Sequence, residues 1–146
     1  MGLFSRKKNL KVTKEAYEVM IEHAKESYPE ECCGILIGNT MTERKIFYVQ
    51  KSININKERA SDRYIIDPME INLADKEARS QSLELMGFYH SHPDHPDRPS
   101  EYDRNMGQAG YSYIIISVKG GTDVSVKSWS FNNEDEPFKE EGLKVS

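Results

Sequence analysis

The sequence is poor in cysteine, has no long apolar segment and shows no excess of basic residues. Its two cysteines, Cys32 and Cys33, are adjacent, so they cannot crosslink distant segments, and such usage fits a reducing compartment. No run approaches the roughly 18 apolar residues of a membrane-spanning helix, and residues 1–12 lack the apolar stretch of a secretory signal. We therefore expect a cytoplasmic protein with no membrane partner.

The net charge of the chain argues against nucleic-acid binding. The formal net charge is −4, whereas a nucleic-acid-binding domain usually carries an excess of lysine and arginine that neutralises phosphates. The basic cluster at residues 6–8 lies in a short N-terminal segment that we interpret as a solvated tail. We therefore expect no nucleic acid among the partners.

The composition instead favours one folded domain. The chain has 146 residues, of which 37% are hydrophobic and 30% charged, and a chain of this length buries enough surface to fold without a disulfide or a structural metal. We predict a disordered N-terminal tail over residues 1–9, a single domain over residues 10–131 and a C-terminal tail over residues 132–146. A strand packed against the domain is the alternative for this last segment.

Apolar periodicity and turn residues predict the elements of the domain. Apolar residues recur at helical spacing over residues 13–28, and Asp67 followed by Pro68 and Glu70 is typical of a helix that begins with a capping box. We predict a third, short helix over residues 100–109. The predicted strands cover residues 32–38, 45–50, 64–66, 85–89, 113–118 and 124–131.

The arrangement of these elements predicts an α/β fold. The strands are interleaved with helices along the chain, but the tight Gly120-Gly121 turn requires that the strands on either side of it be antiparallel. We therefore predict a single-domain, mixed and partly antiparallel β-sheet packed by about three helices.

Three potential metal ligands follow the fourth predicted strand. If the strand over residues 85–89 continues for two residues beyond His90, the side chains of His90 and His92 point to the same face, roughly 7 Å apart along it. Pro93 then ends the strand, which places both histidines at the edge of the sheet. Asp103, in the first turn of the next helix, supplies a carboxylate. Two histidines and one carboxylate leave a fourth position for water, which is the pattern of a catalytic zinc site.

Each part of this pattern also has a purely structural interpretation. A His-x-His pair on a strand is often a surface feature, and the spacing from Ser100 to Asp103 is that of a helix capping box. Asp94, His95 and Asp97 are consistent with an ordinary polar loop. The occurrence of all these features in one short segment favours the metal site, and capping by Ser100 is compatible with a hydroxyl that faces it.

The same segment resembles a known motif. His90-x-His92-Pro93, six further residues, Ser100, two residues and Asp103 match every defined position of the JAMM (MPN+) metalloprotease motif. The segment that begins with Glu31 and continues into a Cys-Gly-Ile-Leu-x-Gly pattern resembles the early strand of that family and the glutamate before it. The similarity covers roughly residues 10–131 and implies a JAMM/MPN-like fold, which is similar to the cytidine-deaminase-like architecture.

This resemblance implies a zinc-dependent peptidase or isopeptidase. By the family pattern, His90, His92 and Asp103 bind one zinc ion. Glu31 is then the general acid and base, and Ser100 stabilises the oxyanion. Spacing alone does not choose Glu31 over the glutamate before it. An isolated glutamate ahead of a strand is also usually just solvated, so the choice of Glu31 rests on the family pattern.

The resemblance also suggests a substrate. The chain is similar to the short, stand-alone prokaryotic members of the family, which are associated with ubiquitin-like sulfur-carrier proteins that end in Gly-Gly. The implied reaction hydrolyses the amide bond after that Gly-Gly and releases an amino acid such as cysteine, or a protein lysine. The alternative is a non-catalytic MPN-type scaffold module that binds a ubiquitin-like protein. The sequence leaves the conjugate and the oligomeric state open.

Two other kinds of chemistry fit the sequence poorly. A thiol nucleophile at Cys32 or Cys33 would lie within an apolar strand pattern, where cysteines are usually buried and inert. Zinc-dependent nucleobase deamination requires a Pro-Cys-x-x-Cys segment, which the sequence lacks.

Overall fold

The computed structural model describes residues 9–146, in which seven strands close into a barrel that carries three helices. The strands are β1 (Asn9–Val12), β2 (Cys33–Asn39), β3 (Lys45–Ser52), β4 (Glu84–Pro93), β5 (Ser112–Lys119), β6 (Asp123–Ser130) and β7 (Lys139–Val145). The helices are α1 (Lys14–Ser27), α2 (Pro68–Ser80) and α3 (Glu101–Met106). The order around the barrel is β1-β3-β2-β4-β5-β6-β7.

The sheet is mixed, as predicted. Strand β1 is parallel to both β3 and β7, and β4 is parallel to β5. The remaining neighbours, including the pair joined by the Gly120-Gly121 turn, are antiparallel. The predicted α/β fold with about three helices is therefore confirmed.

The barrel is closed by two terminal strands. Asn9, which the sequence analysis assigns to the N-terminal tail, begins β1, and Leu10 and Val12 of this strand are fully buried. At the other end of the chain, β7 pairs with β6 on one side and with β1 on the other. The rest of the predicted N-terminal tail falls on residues 1–8, which lie outside the described residues.

Strand β2 is covered on both faces, as its uninterrupted apolar run predicts. Leu36 belongs to a core cluster that includes Ala16 and Met20 of α1. Ile35 belongs to a second cluster that includes Ala74 of α2. The strand thus lies between the two longer helices, which fixes the position of its first residues beside β4.

Helix α2 begins where the sequence predicts, but its predicted capping box is wrong. The side chain of Asp67 accepts a hydrogen bond from the Met69 N–H (2.9 Å) and is the N-cap. Glu70 does not bond back to the cap. Its carboxylate accepts hydrogen bonds from Gln50 (2.8 Å) and Ser52 (2.7 Å), because β3 brings these donors within reach, and it thereby ties α2 to β3.

The predicted strand over residues 64–66 is also wrong. The Ile65 N–H donates to the side chain of Asn54 (3.1 Å), and the Ile65 carbonyl accepts from the Ile55 N–H (3.0 Å). A side chain therefore takes the place of a neighbouring strand, and the segment is irregular although Ile66 is buried.

Helix α3 is shorter than predicted. It ends at Met106 rather than at residue 109, because Gly107 adopts extended backbone angles (φ −76°, ψ 162°). The Gln108 N–H then donates to the hydroxyl of Tyr113 (2.8 Å), which turns the chain towards β5. Within residues 9–146, no helix is long and apolar enough to cross a membrane.

Candidate metal centre

Strand β4 carries the two motif histidines to one end of the barrel. Its ladder with β5 runs through both and pairs His90 with Ile115 and His92 with Ser117. Its ladder with β2 stops at the pair of Cys33 with His90. Strand β4 ends at Pro93, as predicted, so the histidines lie at the end of a strand. This strand is an interior one: His90 pairs with the first residue of β2, and His92 lies where β4 extends past β2.

The side chains of His90, His92 and Asp103 meet at this end of β4. The two Nε2 atoms are 3.1 Å apart, and Oδ2 of Asp103 lies 3.0 Å from Nε2 of His92 and 3.3 Å from Nε2 of His90. A tetrahedral site with bonds of about 2.0–2.1 Å has neighbouring ligand atoms about 3.3–3.4 Å apart. The three atoms therefore lie close to the corners of one face of such a tetrahedron, and together they could hold a divalent metal ion.

The surroundings of the two imidazoles orient them towards this point. Nδ1 of His92 donates to the carbonyl oxygen of Pro96 (2.7 Å), which leaves the lone pair on Nε2. The ring of His90 is fully buried and stacks on Tyr64 with the ring centroids 4.4 Å apart. The hydrogen bond to Pro96 fixes the tautomer and the orientation of His92, and the stacking on Tyr64 restricts the orientation of the His90 ring.

Asp103 is positioned by a capping box at the start of α3. The hydroxyl oxygen of Ser100 accepts from the Asp103 N–H (3.0 Å), and Oδ2 of Asp103 accepts from the Ser100 N–H (3.0 Å). The structural and the metal-site interpretations of this pair therefore describe the same geometry. Because the Ser100 oxygen accepts its capping bond, its hydroxyl proton remains able to donate to another group.

The electrostatics of the cluster suit metal binding. Burial would raise the pKa of Asp103, but the charge of His90 and the hydrogen bonds from both histidines and from the Ser100 N–H hold that pKa well below its usual range. Burial lowers the pKa of His90, although the charge of Asp103 and its hydrogen bond oppose this. Burial also lowers the pKa of His92, but the bonds to Asp103 and to the Pro96 carbonyl outweigh it and raise the pKa overall. A metal ion would therefore compete with a proton for His92 at low pH.

Glu31 lies two residues before β2, beside the cluster. Its N–H donates to the Ala60 carbonyl (2.7 Å), and its carbonyl accepts from the side chain of Asn54 (3.3 Å). The side chain is 5% exposed, and among the described residues its buried Oε1 has no hydrogen-bond partner. Burial raises the pKa of Glu31 to about 8, although the charge of His92 opposes this. Such a carboxyl group is suited to exchange protons near neutral pH.

All five residues that the motif singles out lie together. A cavity of about 500 Å³ is lined by Glu31, His92 and Ser100. A second cavity, of about 300 Å³, is lined by Asp103, and the fully buried His90 completes the cluster. The arrangement combines three potential metal ligands, a carboxyl group that can carry a proton and a hydroxyl group that can donate.

The sequence does not identify the residues that support this site. Asn54 lies in a polar segment whose Asn-x-Asn spacing is typical of a local turn, and nothing in the pattern connects it with Glu31. Tyr64 belongs to an apolar triplet that predicts a strand, and nothing in the sequence indicates that its ring stacks on His90. Both contacts arise from tertiary packing.

The other candidates have ordinary roles or none in the cluster. Cys32 and Cys33 are buried, and burial raises the pKa of each thiol to about 12, which argues against a thiolate nucleophile. Asp94 accepts a hydrogen bond from the Gly120 N–H (2.8 Å) and stabilises that turn. His95 lines the larger cavity without belonging to the three-ligand cluster.

The donor set and its setting fit a bound metal. Two imidazole nitrogens and a carboxylate oxygen converge at 3.0–3.3 Å from one another, and a buried carboxyl oxygen of Glu31 beside them has no hydrogen-bond partner in the described chain. A cation with one solvent molecule would satisfy all four groups.

Comparison with known proteins agrees with this site. The model of a family described as prokaryotic homologs of the JAB domain matches residues 13–132. A desampylase of Haloferax volcanii is 31% identical, with 76% of this chain and 82% of that protein covered. A "probable TtuB-protein conjugate cleaving protease" of Thermus thermophilus is 29% identical, with 67% of this chain and 63% of that protein covered.

Solved structures share the fold. Protein DSY2949 of Desulfitobacterium hafniense superposes with a TM-score of 0.80 at 28% identity, covering 94% of this chain and 92% of that one. AF2198 of Archaeoglobus fulgidus, described as a JAB1/MPN domain protein, gives a TM-score of 0.55 at 19% identity, covering 92% and 99%. The resemblance to the JAMM (MPN+) family is thereby confirmed, and the chain belongs to the family of prokaryotic JAB-domain homologues.

Proposed function

We propose that this chain is a zinc-dependent metallopeptidase that hydrolyses the amide bond after the C-terminal Gly-Gly of a ubiquitin-like or sulfur-carrier protein. The observation that carries the proposal is the convergence of His90, His92 and Asp103, whose ligand atoms are 3.0–3.3 Å apart. Glu31 and Ser100 line the cavity beside them.

Zinc fits this donor set. Two histidines and one carboxylate are the ligands of a recurrent class of catalytic zinc site, which keeps a further position for solvent. Bound there, the ion would polarise the substrate carbonyl and make a water molecule more acidic. His90 and His92 hold their nitrogens on an interior strand, and Asp103 is fixed by its cap, so the ligands are positioned before an ion arrives.

Glu31 moves the protons in this proposal. Its carboxylate accepts a proton from the attacking water, and the resulting carboxylic acid delivers that proton to the leaving amine. The pKa of Glu31 is about 8 in the metal-free protein, and a dication bound nearby would lower it towards the range of an effective general base. No covalent intermediate with the enzyme is required.

Ser100 stabilises the charge that develops on the substrate carbonyl oxygen. Its hydroxyl oxygen already accepts from the Asp103 N–H (3.0 Å), which orients the hydroxyl group and leaves its proton for the oxyanion. A donor of this type contributes about 3 kcal/mol to transition-state stabilisation.

The substrate class rests on the relatives. The Thermus thermophilus relative is named for cleaving conjugates of a protein called TtuB, and the Haloferax volcanii relative is named desampylase. We extend this to the present chain and propose a carrier with an extended Gly-Gly tail. Gly-Gly has no side chains, so an extended tail of this sequence needs little room beside the cluster.

A cleavage assay tests the proposal. The substrates are a sulfur-carrier protein with one cysteine after its Gly-Gly and the same carrier in isopeptide linkage to a lysine, and mass spectrometry detects the released carrier. We expect Glu31→Gln to lose about 10²- to 10⁴-fold in activity and to keep its zinc. His92→Ala should lose both activity and zinc.

The matched control is Glu30→Gln, which changes the exposed neighbour of Glu31 and should remain active. Full activity of Glu31→Gln would overturn the acid–base assignment. If the zinc-loaded protein binds a carrier but cleaves neither substrate, the non-catalytic scaffold is the correct interpretation.

A further inference from the structure

Two cavities of opposite character adjoin the cluster of His90, His92 and Asp103. The larger, of about 500 Å³, contains Glu31 and is bordered by three arginines, Arg59, Arg63 and Arg98; we call it the cationic cavity. The smaller, of about 300 Å³, is bordered mainly by apolar and aromatic side chains; we call it the apolar cavity. Its lining includes Ile66, Ile71, Phe88 and Met106.

The arginines of the cationic cavity are not equally available. Arg59 is committed to an ion pair with Asp62, the one aspartate in the lining. Arg63 is half-buried, and its guanidinium lies over the ring of Tyr102, 4.2 Å from the centroid. Within residues 9–146, neither Arg63 nor Arg98 forms an ion pair with a carboxylate.

The stacked pair of Arg63 and Tyr102 lies between the two cavities. Tyr102 borders both, whereas Arg63 borders the cationic cavity. Stacking on an aromatic ring restricts a guanidinium and keeps its donors in one plane. Arg63 therefore offers a fixed fork of hydrogen-bond donors near the cluster.

The position of Glu31 indicates which cavity would receive the leaving group and which the acyl chain. An amide substrate held at the metal has an acyl side and a leaving-group side, and the leaving amine must accept its proton from Glu31. Glu31 borders the cationic cavity and not the apolar one. The segment that carries Arg63 is also tied to Glu31, because the side chain of Asn54 donates to the carbonyl oxygens of both residues (3.3 Å and 3.0 Å). The leaving group thus belongs in the cationic cavity and the acyl chain in the other.

We propose that Arg63 and Arg98 bind a free carboxylate on the leaving group, so that the preferred substrate is a carrier protein whose Gly-Gly is followed by a single amino acid. This inference rests on the proposed function. In such an adduct the carboxylate is one carbon atom away from the scissile nitrogen, and a guanidinium can bind it with two parallel hydrogen bonds. In a lysine isopeptide the leaving amine is the ε-amine, and the lysine carboxyl group is consumed in a peptide bond.

Paired substrates that differ in one charge test this assignment. The carrier is a sulfur-carrier protein whose Gly-Gly is extended by one alanine, prepared once as the free acid and once as the C-terminal amide. The zinc-loaded enzyme should cleave the acid with a kcat/KM at least about tenfold higher than the amide. The lysine isopeptide of the same carrier should be cleaved more slowly than the acid.

Variants assign the preference to the two arginines. Arg63→Gln and Arg98→Gln should each lower the acid-to-amide ratio of kcat/KM towards one, and Arg63→Lys, which keeps the charge but not the planar fork, should give an intermediate ratio. Arg98 is exposed, so its variant remains informative if Arg63→Gln folds poorly. The control is Arg79→Gln, an exposed arginine of α2 outside both cavities, which should leave the ratio unchanged.

The outcomes separate this inference from the proposed function. Equal cleavage of acid and amide, or faster cleavage of the isopeptide, would overturn the carboxylate assignment and leave the peptidase standing. Arginines that instead attract an acidic surface of the carrier would give that equal cleavage. If the zinc-loaded enzyme cleaves none of the three substrates, the proposed function fails and the inference fails with it.

Discussion

Glu31 is a buried carboxyl group whose pKa differs between the folded and the unfolded chain, so it makes stability depend on pH. Without metal the folded-state pKa is about 8, against 4.5 for the ordinary side chain. Between these values the folded chain holds a proton that the unfolded chain has released. The stability that Glu31 contributes is therefore complete below about pH 4.5 and is lost as the pH rises towards 8.

Glu31→Gln should remove this dependence. As the pH rises from about 4.5 to 8, the wild type should lose stability relative to the variant. The loss in free energy of unfolding should reach up to about 1.4 kcal/mol per pH unit. Urea unfolding of the metal-free proteins at three pH values measures it. Parallel pH profiles for the two proteins would show that Glu31 is ionised in the folded state and would contradict this prediction.

Ser100 caps α3, and we propose that it also stabilises the oxyanion; one substitution can separate these two roles. Ser100→Gly removes the hydroxyl donor but retains most of the capping preference, so we expect a stability loss of only a few tenths of a kcal/mol. The kcat should nevertheless fall by about 10²- to 10³-fold, because the developing oxyanion loses its donor. Steady-state kinetics and thermal unfolding on the same preparation measure both. An unchanged kcat would show that Ser100 acts only as a helix cap.

At this scale the sequence predicts which side chains meet at the candidate site, but it does not predict the residues that support them. His90, His92, Ser100 and Asp103 occur within 14 positions, so local geometry alone brings them close together. Glu31 is far away along the chain, and its choice depends on the family pattern. The contact of Asn54 with Glu31 is set by how a polar loop packs against the start of β2, which no local pattern reveals.

At the scale of elements, β7 completes the barrel through a buried ion pair. Glu141 is 5% exposed, and its carboxylate accepts from Arg44 (2.9 Å) and from Ser128 (2.8 Å). Arg44 also donates to Ser112 of β5 (2.6 Å). One side chain of β7 is thereby connected to the segment before β3 and to two further strands.

Glu141→Ala should therefore destabilise the protein by about 3 kcal/mol, because it leaves the Arg44 guanidinium without its buried partner. The matched control is Glu43→Ala, which breaks the exposed pair with Lys11 and should cost less than about 1 kcal/mol. Denaturant unfolding measures both. Equal losses would mean that β7 is not anchored by this pair.

The terminal strands also show where prediction from sequence stops. Strand β1 has four residues, too few for a periodic pattern, and β7 has a charged, mostly exposed sequence with Glu141 facing inward. Their strand character comes from pairing with each other and with neighbours distant in sequence. By contrast, β2, β4 and β5 are recognisable because each contains a run of apolar residues, and almost all of their residues are buried.

At the scale of the whole molecule, the candidate site is attached to a framework that does not depend on it. Two hydrophobic clusters, one under α1 and one under α2, fill the structure on either side of β2. The histidines extend from an interior strand, and Asp103 is fixed by the cap of α3. We therefore expect the metal-free protein to stay folded, which distinguishes this site from a structural zinc site whose removal unfolds the chain.

Chelation tests that expectation. Removal of metal should abolish cleavage while leaving the far-ultraviolet circular dichroism spectrum and a cooperative thermal transition in place, and one equivalent of zinc should restore activity. The thermal midpoint should be lower without metal, because an ion that binds the folded state alone stabilises it. Collapse of the transition on chelation would assign the metal a structural role.

The most direct measurement is the zinc content of the folded protein, determined on the wild type, Glu31→Gln and His92→Ala after equilibration with excess zinc and gel filtration. We expect one zinc per chain in the wild type and in Glu31→Gln, and close to none in His92→Ala. A folded wild type that retains no zinc, or a His92→Ala variant that retains a full equivalent, would contradict this expectation.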